Sequence, residues 1–210
     1  VTTVNLSNLT ATAGTITITT DASTNSTVSL TNYNDNDNIV INGPTVQTLP
    51  AYTGISAPSL VSSGSIQTLT MAVYRATQSV GAQFDGLTVL RNLTLGAARE
   101  TIQTSSFAGD AAATLQVLTV TYAAYANAFT DWVDLNSMAN LTTVSVTSTG
   151  ELNGTYLQNN PLLTSVTTAG QQDWFYVLNN DAVGLTLNMG NTAVTSANGV
   201  GSWTIVDGNQ

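Results

Sequence analysis

Four stretches of the chain share the pattern apolar-x-x-apolar-x-apolar: Ile66/Leu69/Met71, Leu90/Leu93/Leu95, Leu115/Leu118/Val120 and Leu141/Val144/Val146. Weaker copies follow at Leu163/Val166/Thr168, Ala182/Leu185/Leu187 and Val200/Trp203/Ile205, so the interval between copies is nearly even over the strong ones and shortens over the weak ones. The alternation over the last three positions predicts a strand with its fourth and sixth pattern residues inward, while the first packs where the chain turns into the sheet. A repeat of about 20 to 29 residues with this spacing predicts a leucine-rich-repeat-like parallel β-solenoid, whose coils bury their apolar residues only against neighbouring coils. Adjacent parallel strands are expected at 69–71, 93–95, 118–120, 144–146 and 185–187.

Positions 1–58 follow a shorter beat. Val4/Leu6, Ile16/Ile18, Val28/Leu30 and Ile39/Ile41 are evenly set apolar pairs, separated by Gly, Asn, Asp, Ser and Thr. This predicts short β-strands, arranged either as an antiparallel meander or as narrow rungs that cap the solenoid. Pro44, Pro50 and Pro58 mark the junction, because proline cannot donate to a sheet ladder. The expected organisation is an N-terminal β region or cap over 1–58 and an irregular solenoid over 59–210, mostly β throughout.

Between the strong copies lie S-V-G-A-Q-F (Ser79 to Phe84), T-I-Q-T-S-S-F (Thr101 to Phe107) and the looser Y-A-N-A-F (Tyr125 to Phe129). These segments, with T-Y-L-Q-N-N-P-L-L-T-S-V (Thr155 to Val166), resemble the repeats of BspA-like leucine-rich-repeat proteins over roughly residues 60 to 190. The chain departs from that family's pattern in lacking its Cys and its Lys and in its irregular coil length. The resemblance implies a bacterial or protist surface protein.

Composition narrows the chemistry. Of 210 residues 42% are hydrophobic and only 7% charged, so solubility rests on 37 Thr, 21 Asn and 18 Ser. The net charge is −9, with Arg75, Arg91 and Arg99 the only basic side chains, which argues against a nucleic-acid partner. No apolar run reaches the ~18 to 20 residues of a membrane span. The Val1 start reads as a processed terminus, and the sequons at Asn5, Asn8, Asn25, Asn92, Asn140 and Asn153 fit an extracellular or cell-surface glycoprotein.

With no His, Cys or Lys, catalysis would fall to carboxylates such as Asp131 and Asp134, or Asp35 and Asp37. Acids in loops more commonly form turns, and the reading is that the chain is not an enzyme. Asn34, Asp35 and Asp37 offer oxygen ligands suited to Ca²⁺, but without the Gly and distal Glu of an EF-hand they also read as an Asx-rich turn. Trp132, the Trp174-Phe175-Tyr176 triplet, Trp203, Tyr122 and Tyr125 are candidates for stacking on surface glycans. Among them Trp132, Trp174 and Tyr176 are singled out, because alternation must send the other half inward. Val1, Val4 and Leu6 begin the chain as an alternating strand that either pairs with the Ile16/Ile18 strand or adds to a second copy. The expected function is a structural or adhesive surface protein that assembles with itself, with a monomeric carbohydrate-binding adhesion module as the alternative.

Overall fold

A computed structural model describes residues 2–7, 15–19, 26–31, 38–42, 46–49, 59–60, 66–71, 84, 87–98, 101–107, 110–122, 132–178, 180, 184–194 and 202–205. The alternating segments form strands β1 (Thr2–Ser7), β2 (Thr15–Thr19), β3 (Ser26–Thr31), β4 (Asn38–Asn42), β5 (Val46–Leu49), β6 (Ser59–Leu60), β7 (Thr68–Met71) and β8 (Asn92–Ala98). They continue as β9 (Ile102–Gln103), β10 (Val117–Tyr122), β11 (Trp132–Asn136), β12 (Thr143–Gln158), β13 (Ser165–Leu178), β14 (Thr186–Val194) and β15 (Ser202–Ile205). A 3₁₀ turn (Thr104–Phe107) and one short helix, α1 (Asp110–Thr114), interrupt them. Among the described residues no helix is long and apolar enough to cross a membrane.

Every strand pairing among the described residues is parallel, and the chain is a β-solenoid. A first stack runs β1, β3, β5, β7, β8, β10, then the N-terminal parts of β12 and β13, then β14. A second stack runs β9, β11, the C-terminal parts of β12 and β13, then β15. A separate sheet holds β2, β4 and β6. Each full coil therefore contributes two strands, where the leucine-rich pattern pointed to one, because the return segments W-V-D-L-N and W-F-Y-V-L alternate as well.

The pattern residues point where alternation sends them. Leu69, Leu93, Leu118, Val144 and Val166 form one buried row in register, and Leu95, Val120, Val146 and Thr168 form the next. Ile66, Leu90, Leu115, Leu141 and Leu163 are buried at the turn into each strand. From the second stack Val133, Leu135, Leu157, Phe175 and Val177 join the same continuous core, and Phe84 stacks on Phe107 at 5.2 Å in the return path. The entry corner repeats its hydrogen bonds: the Gln67 carbonyl accepts from the N–H groups of Arg91 (2.8 Å) and Asn92 (3.0 Å), and the Arg91, Gln116 and Thr142 carbonyls do the same one coil on.

At the N-terminus the structure decides between the two arrangements left open by spacing. The short beat is half a coil, not a meander: β1 pairs with β3 and β2 with β4, so alternate strands belong to different sheets. Val4 and Leu6 accordingly lie beside Val28 and Leu30, not beside Ile16 and Ile18. Pairing also runs through the proline-rich stretch, from β4 to β6 and from β5 to β7.

Two expectations are corrected at the C-terminal end. The 185–187 strand does not adjoin 144–146, because β13 stands between them, and Val166 pairs with Leu187, two residues beyond the position the repeat assigned. Gly184, with φ of 84°, lies in the turn ahead of this strand. The Val200/Trp203/Ile205 copy belongs to the second stack, where Trp203 pairs with Phe175 and Ile205 with Val177.

β12 and β13 turn the corner between stacks without a break in strand structure. At Gly170, φ is 99° and a Cβ would fall 2.1 Å from the Ser148 carbonyl oxygen, so only glycine fits this close approach.

Candidate functional site

On the second stack, alternation puts Val133, Leu135, Thr155, Leu157, Phe175 and Val177 inside and their neighbours outside. In-register pairing then lines up Trp132, Gly154, Trp174 and Ser202 in one outward row, and Gln103, Asp134, Tyr156, Tyr176 and Thr204 in the next. Trp132, Tyr156, Trp174 and Tyr176 are each partly exposed. Their rings touch in a chain: Trp132 meets Tyr156 edge-on at 5.9 Å, Tyr156 stacks on Tyr176 at 5.1 Å, and Tyr176 lies near-parallel to Trp174 at 6.0 Å.

Gly154 makes room for this patch. A Cβ there would lie 2.6 Å from the Trp174 carbonyl oxygen and 3.0 Å from Tyr156 Cε2, so the tyrosine ring fills the space a side chain would take. Tyr156 and Tyr176 are inclined by only 12° at 5.1 Å, which places the two rings in offset stacking. One face of each is covered by the other. On its other side β13 pairs with β15, where Ser202 and Thr204 hold the register positions of Trp174 and Tyr176. Trp174 and Tyr176 thus form a near-parallel aromatic step on the strand that pairs with β15.

The surroundings of the patch are polar but carry no cation among the described residues. Burial pushes the Asp134 carboxyl above the ordinary aspartate range, and its register neighbours are Gln103 and Tyr156. Beneath it the Tyr122 hydroxyl donates to the Trp132 carbonyl at 2.9 Å, while Trp132 Nε1 is a buried donor without a partner. In the core, Thr155 Oγ1 donates to Gln172 Oε1 at 2.8 Å. The exit corner is held by a ladder of buried asparagines: Asn160 accepts from the Met138 N–H (2.9 Å) and donates to the Leu135 carbonyl (3.1 Å). Asn180 repeats both bonds on Asn160 N–H (2.8 Å) and the Leu157 carbonyl (3.1 Å).

The structure brings together Trp132, Trp174 and Tyr176, three aromatic residues singled out in the sequence, and adds Tyr156. Aligning the returns at Y-L-Q-N-N (156–160) and Y-V-L-N-N (176–180) would have placed Tyr156 beside Tyr176 and exposed the asparagine ladder. Phe175 and Tyr122 are core residues. Val1, Asn8, Asn25, Asn34, Asp35, Asp37, Tyr125 and Asp131 lie outside the described residues, and with them the Ca²⁺ reading, the Asp35/Asp37 pair and one member of the Asp131/Asp134 pair. Among the described residues no three His, Cys, Asp or Glu side chains cluster. Of the sequons, Asn5 lies in β1, Asn153 is partly exposed, Asn92 Nδ2 donates to Thr68 Oγ1 at 3.2 Å, and Asn140 Nδ2 donates to the Ala113 carbonyl. Comparison with protein-family models, with curated proteins and with solved structures gave no match.

Proposed function

We propose that this chain is an extracellular adhesion module that binds carbohydrate through the aromatic step of its second stack. The supporting observation is the pair Trp174 and Tyr176, near-parallel at 6.0 Å and partly exposed on an outward sheet face. Aromatic faces of this kind match the C–H groups of a sugar ring, and neighbouring hydroxyl and carboxyl groups supply the polar contacts that orient it. Asp134, Ser202 and Thr204 occupy register positions suited to that role. The cell-surface resemblance and the scarcity of charge agree with such a setting. A glycan array and pull-down on insoluble polysaccharides test it: the protein should bind at least one glycan, and Trp174→Ala should weaken that binding at least tenfold without changing the far-ultraviolet circular dichroism. Absence of any glycan binding, or equal binding by Trp174→Ala, overturns the proposal.

A second reading is self-assembly through the N-terminal strand. It rests on the position of β1 at the end of the first stack, where among the described strands it pairs only with β3, leaving an edge that another strand would extend. Deleting residues 1–8 should then abolish any polymer seen by negative-stain microscopy while a folded monomer remains. A polymer that survives the deletion, or a wild-type chain that sediments as a monomer at high concentration, overturns this reading.

A further inference from the structure

The outward face of the first stack differs in kind from the aromatic step. In-register pairing places Thr70, Thr94, Thr119, Ser145 and Thr167 in one row across five successive strands, with Asn188 next. The same row extends through Thr3, Thr27 and Thr48 by strand register. A second row, two residues earlier on each strand, holds Thr68, Asn92, Val117, Thr143, Ser165 and Thr186. From Thr68 onward these side chains are exposed or partly exposed.

This is a two-dimensional array with fixed repeats. Neighbouring strands stand about 4.8 Å apart, and alternate residues along a strand about 6.6 Å apart. Each threonine presents one hydroxyl and one methyl, and Val117 keeps the threonine shape. The outward positions of the two rows carry no charge and no aromatic ring. A protein partner would want aromatic or Arg anchors, and a nucleic acid would want cations. What remains is a neutral, flat, periodic surface, and the partner that suits it is itself periodic. Hexagonal ice has an oxygen repeat close to the distance between neighbouring strands, so the hydroxyls of one row can take successive lattice positions while the methyls hold the intervening water in ordered cages.

We propose that the threonine face of the first stack is an ice-binding surface, which adsorbs to crystalline water and blocks its growth. The proposal is independent of the carbohydrate reading, which concerns the other stack. The test is the gap between melting and freezing temperature of a single ice crystal, together with partition of the protein into a slowly grown ice hemisphere. Wild-type protein should open a measurable gap, shape the crystal and enrich in the ice. Thr119→Tyr, which raises a ring in the middle of the array, should reduce both effects severalfold while keeping the wild-type melting curve and glycan binding. Leu162→Tyr adds similar bulk at an exposed position off the array and should leave ice binding unchanged. Absence of both gap and enrichment in the wild type overturns the proposal, as does full activity in Thr119→Tyr. Binding to crystalline cellulose or chitin that is lost in Thr119→Tyr, with ice ignored, also overturns it and assigns the face to a solid polysaccharide.

Discussion

The two stacks of this solenoid share one core and differ in almost everything that faces outward. The first stack repeats itself: its coils present mostly Thr and Ser at the same two register positions, with Asn92, Val117 and Asn188 the exceptions, and its entry corner reuses one hydrogen-bond arrangement at Gln67, Arg91, Gln116 and Thr142. The second stack is particular to each coil. Its outward row reads Trp132, Gly154, Trp174 and Ser202, and its exit corner needs left-handed Ser137 (φ 59°) and Asn159 (φ 53°) as well as the buried asparagines. A solenoid constrains inward positions through packing on both neighbours, while outward positions answer only to register. Repetition on the outside therefore has no structural cause in the core, and neither does the gathering of four aromatic rings. Both are where function is to be sought.

The strongest way to break the comparison is to damage what the two faces share. Leu93 is buried between Leu69 and Leu118 in the row that lies under the threonine face. Leu93→Ala should cost about 2 to 5 kcal/mol, since the void is walled by two neighbouring coils that cannot both collapse into it. Denaturant melts check this, and a loss below ~1 kcal/mol would mean that the stacks do not rest on a common core. Next in size is Asn160→Ala, which touches only the exit corner. It strips the Met138 N–H and the Leu135 carbonyl of their buried partner. At about 1 to 3 kcal/mol for stranding such groups, with some recovery by water, a loss of about 2 kcal/mol is expected. Hydrogen exchange should quicken at the Met138 amide, whereas the amides of β8 and β10 should keep their protection.

The difference between the stacks also explains what could be read in the sequence. The first stack was legible from Leu93/Leu95, Leu118/Val120 and Val144/Val146 because a leucine-rich stripe at a near-constant interval is a strong signal. It failed at Ala182/Leu185/Leu187, which fits the apolar pattern two positions away from the register that pairs Val166 with Leu187. The second stack was half hidden. Its inward residues include Thr155 and a buried Gln172 beside Leu152, so apolar periodicity is diluted there, and Asn160 and Asn180 are buried polar residues that look like loop residues. The aromatic residues were visible one by one, but only register brings Tyr156 to Tyr176. The N-terminal strands were recognised as short strands, yet so short a beat cannot tell a hairpin from two strands of one coil. Parallel pairing of β1 with β3 decides it.

Trp174→Ala sharpens the comparison from the functional side. The ring is partly exposed and rests on Tyr176, so its removal should cost about 1 kcal/mol or less in stability, the scale of one aromatic pair. Glycan binding should fall at least tenfold and ice adsorption should not change. A large loss of stability would turn the aromatic chain into a packing element and leave the second stack without a candidate site.

The smallest effect is expected from Asp134, and it has a definite sign. The two threonine rows contain no ionisable group, whereas Asp134 lies in register beside Tyr156 and its carboxyl is raised by burial, with neither Gln103 nor Tyr156 able to offer a compensating positive charge. The folded protein therefore holds this proton more tightly than the unfolded chain. Below the unfolded value near 3.8 both states are protonated and folding carries no penalty. As pH rises through that value and on through the raised folded one, the unfolded chain ionises first and stability is lost; at neutral pH the penalty is complete. Asp134→Asn removes the charge and keeps the shape. It should raise the melting temperature slightly at pH 7, and the difference from wild type should close as pH falls to 3. The exposed part of the carboxylate stays in contact with water, which keeps the gain small. A variant that melts lower than wild type at pH 7 would mean that the aromatic face stabilises the carboxylate as an anion, and the Gln103 amide and the Tyr156 hydroxyl, both hydrogen-bond donors at neighbouring register positions, would be the first groups to test for it.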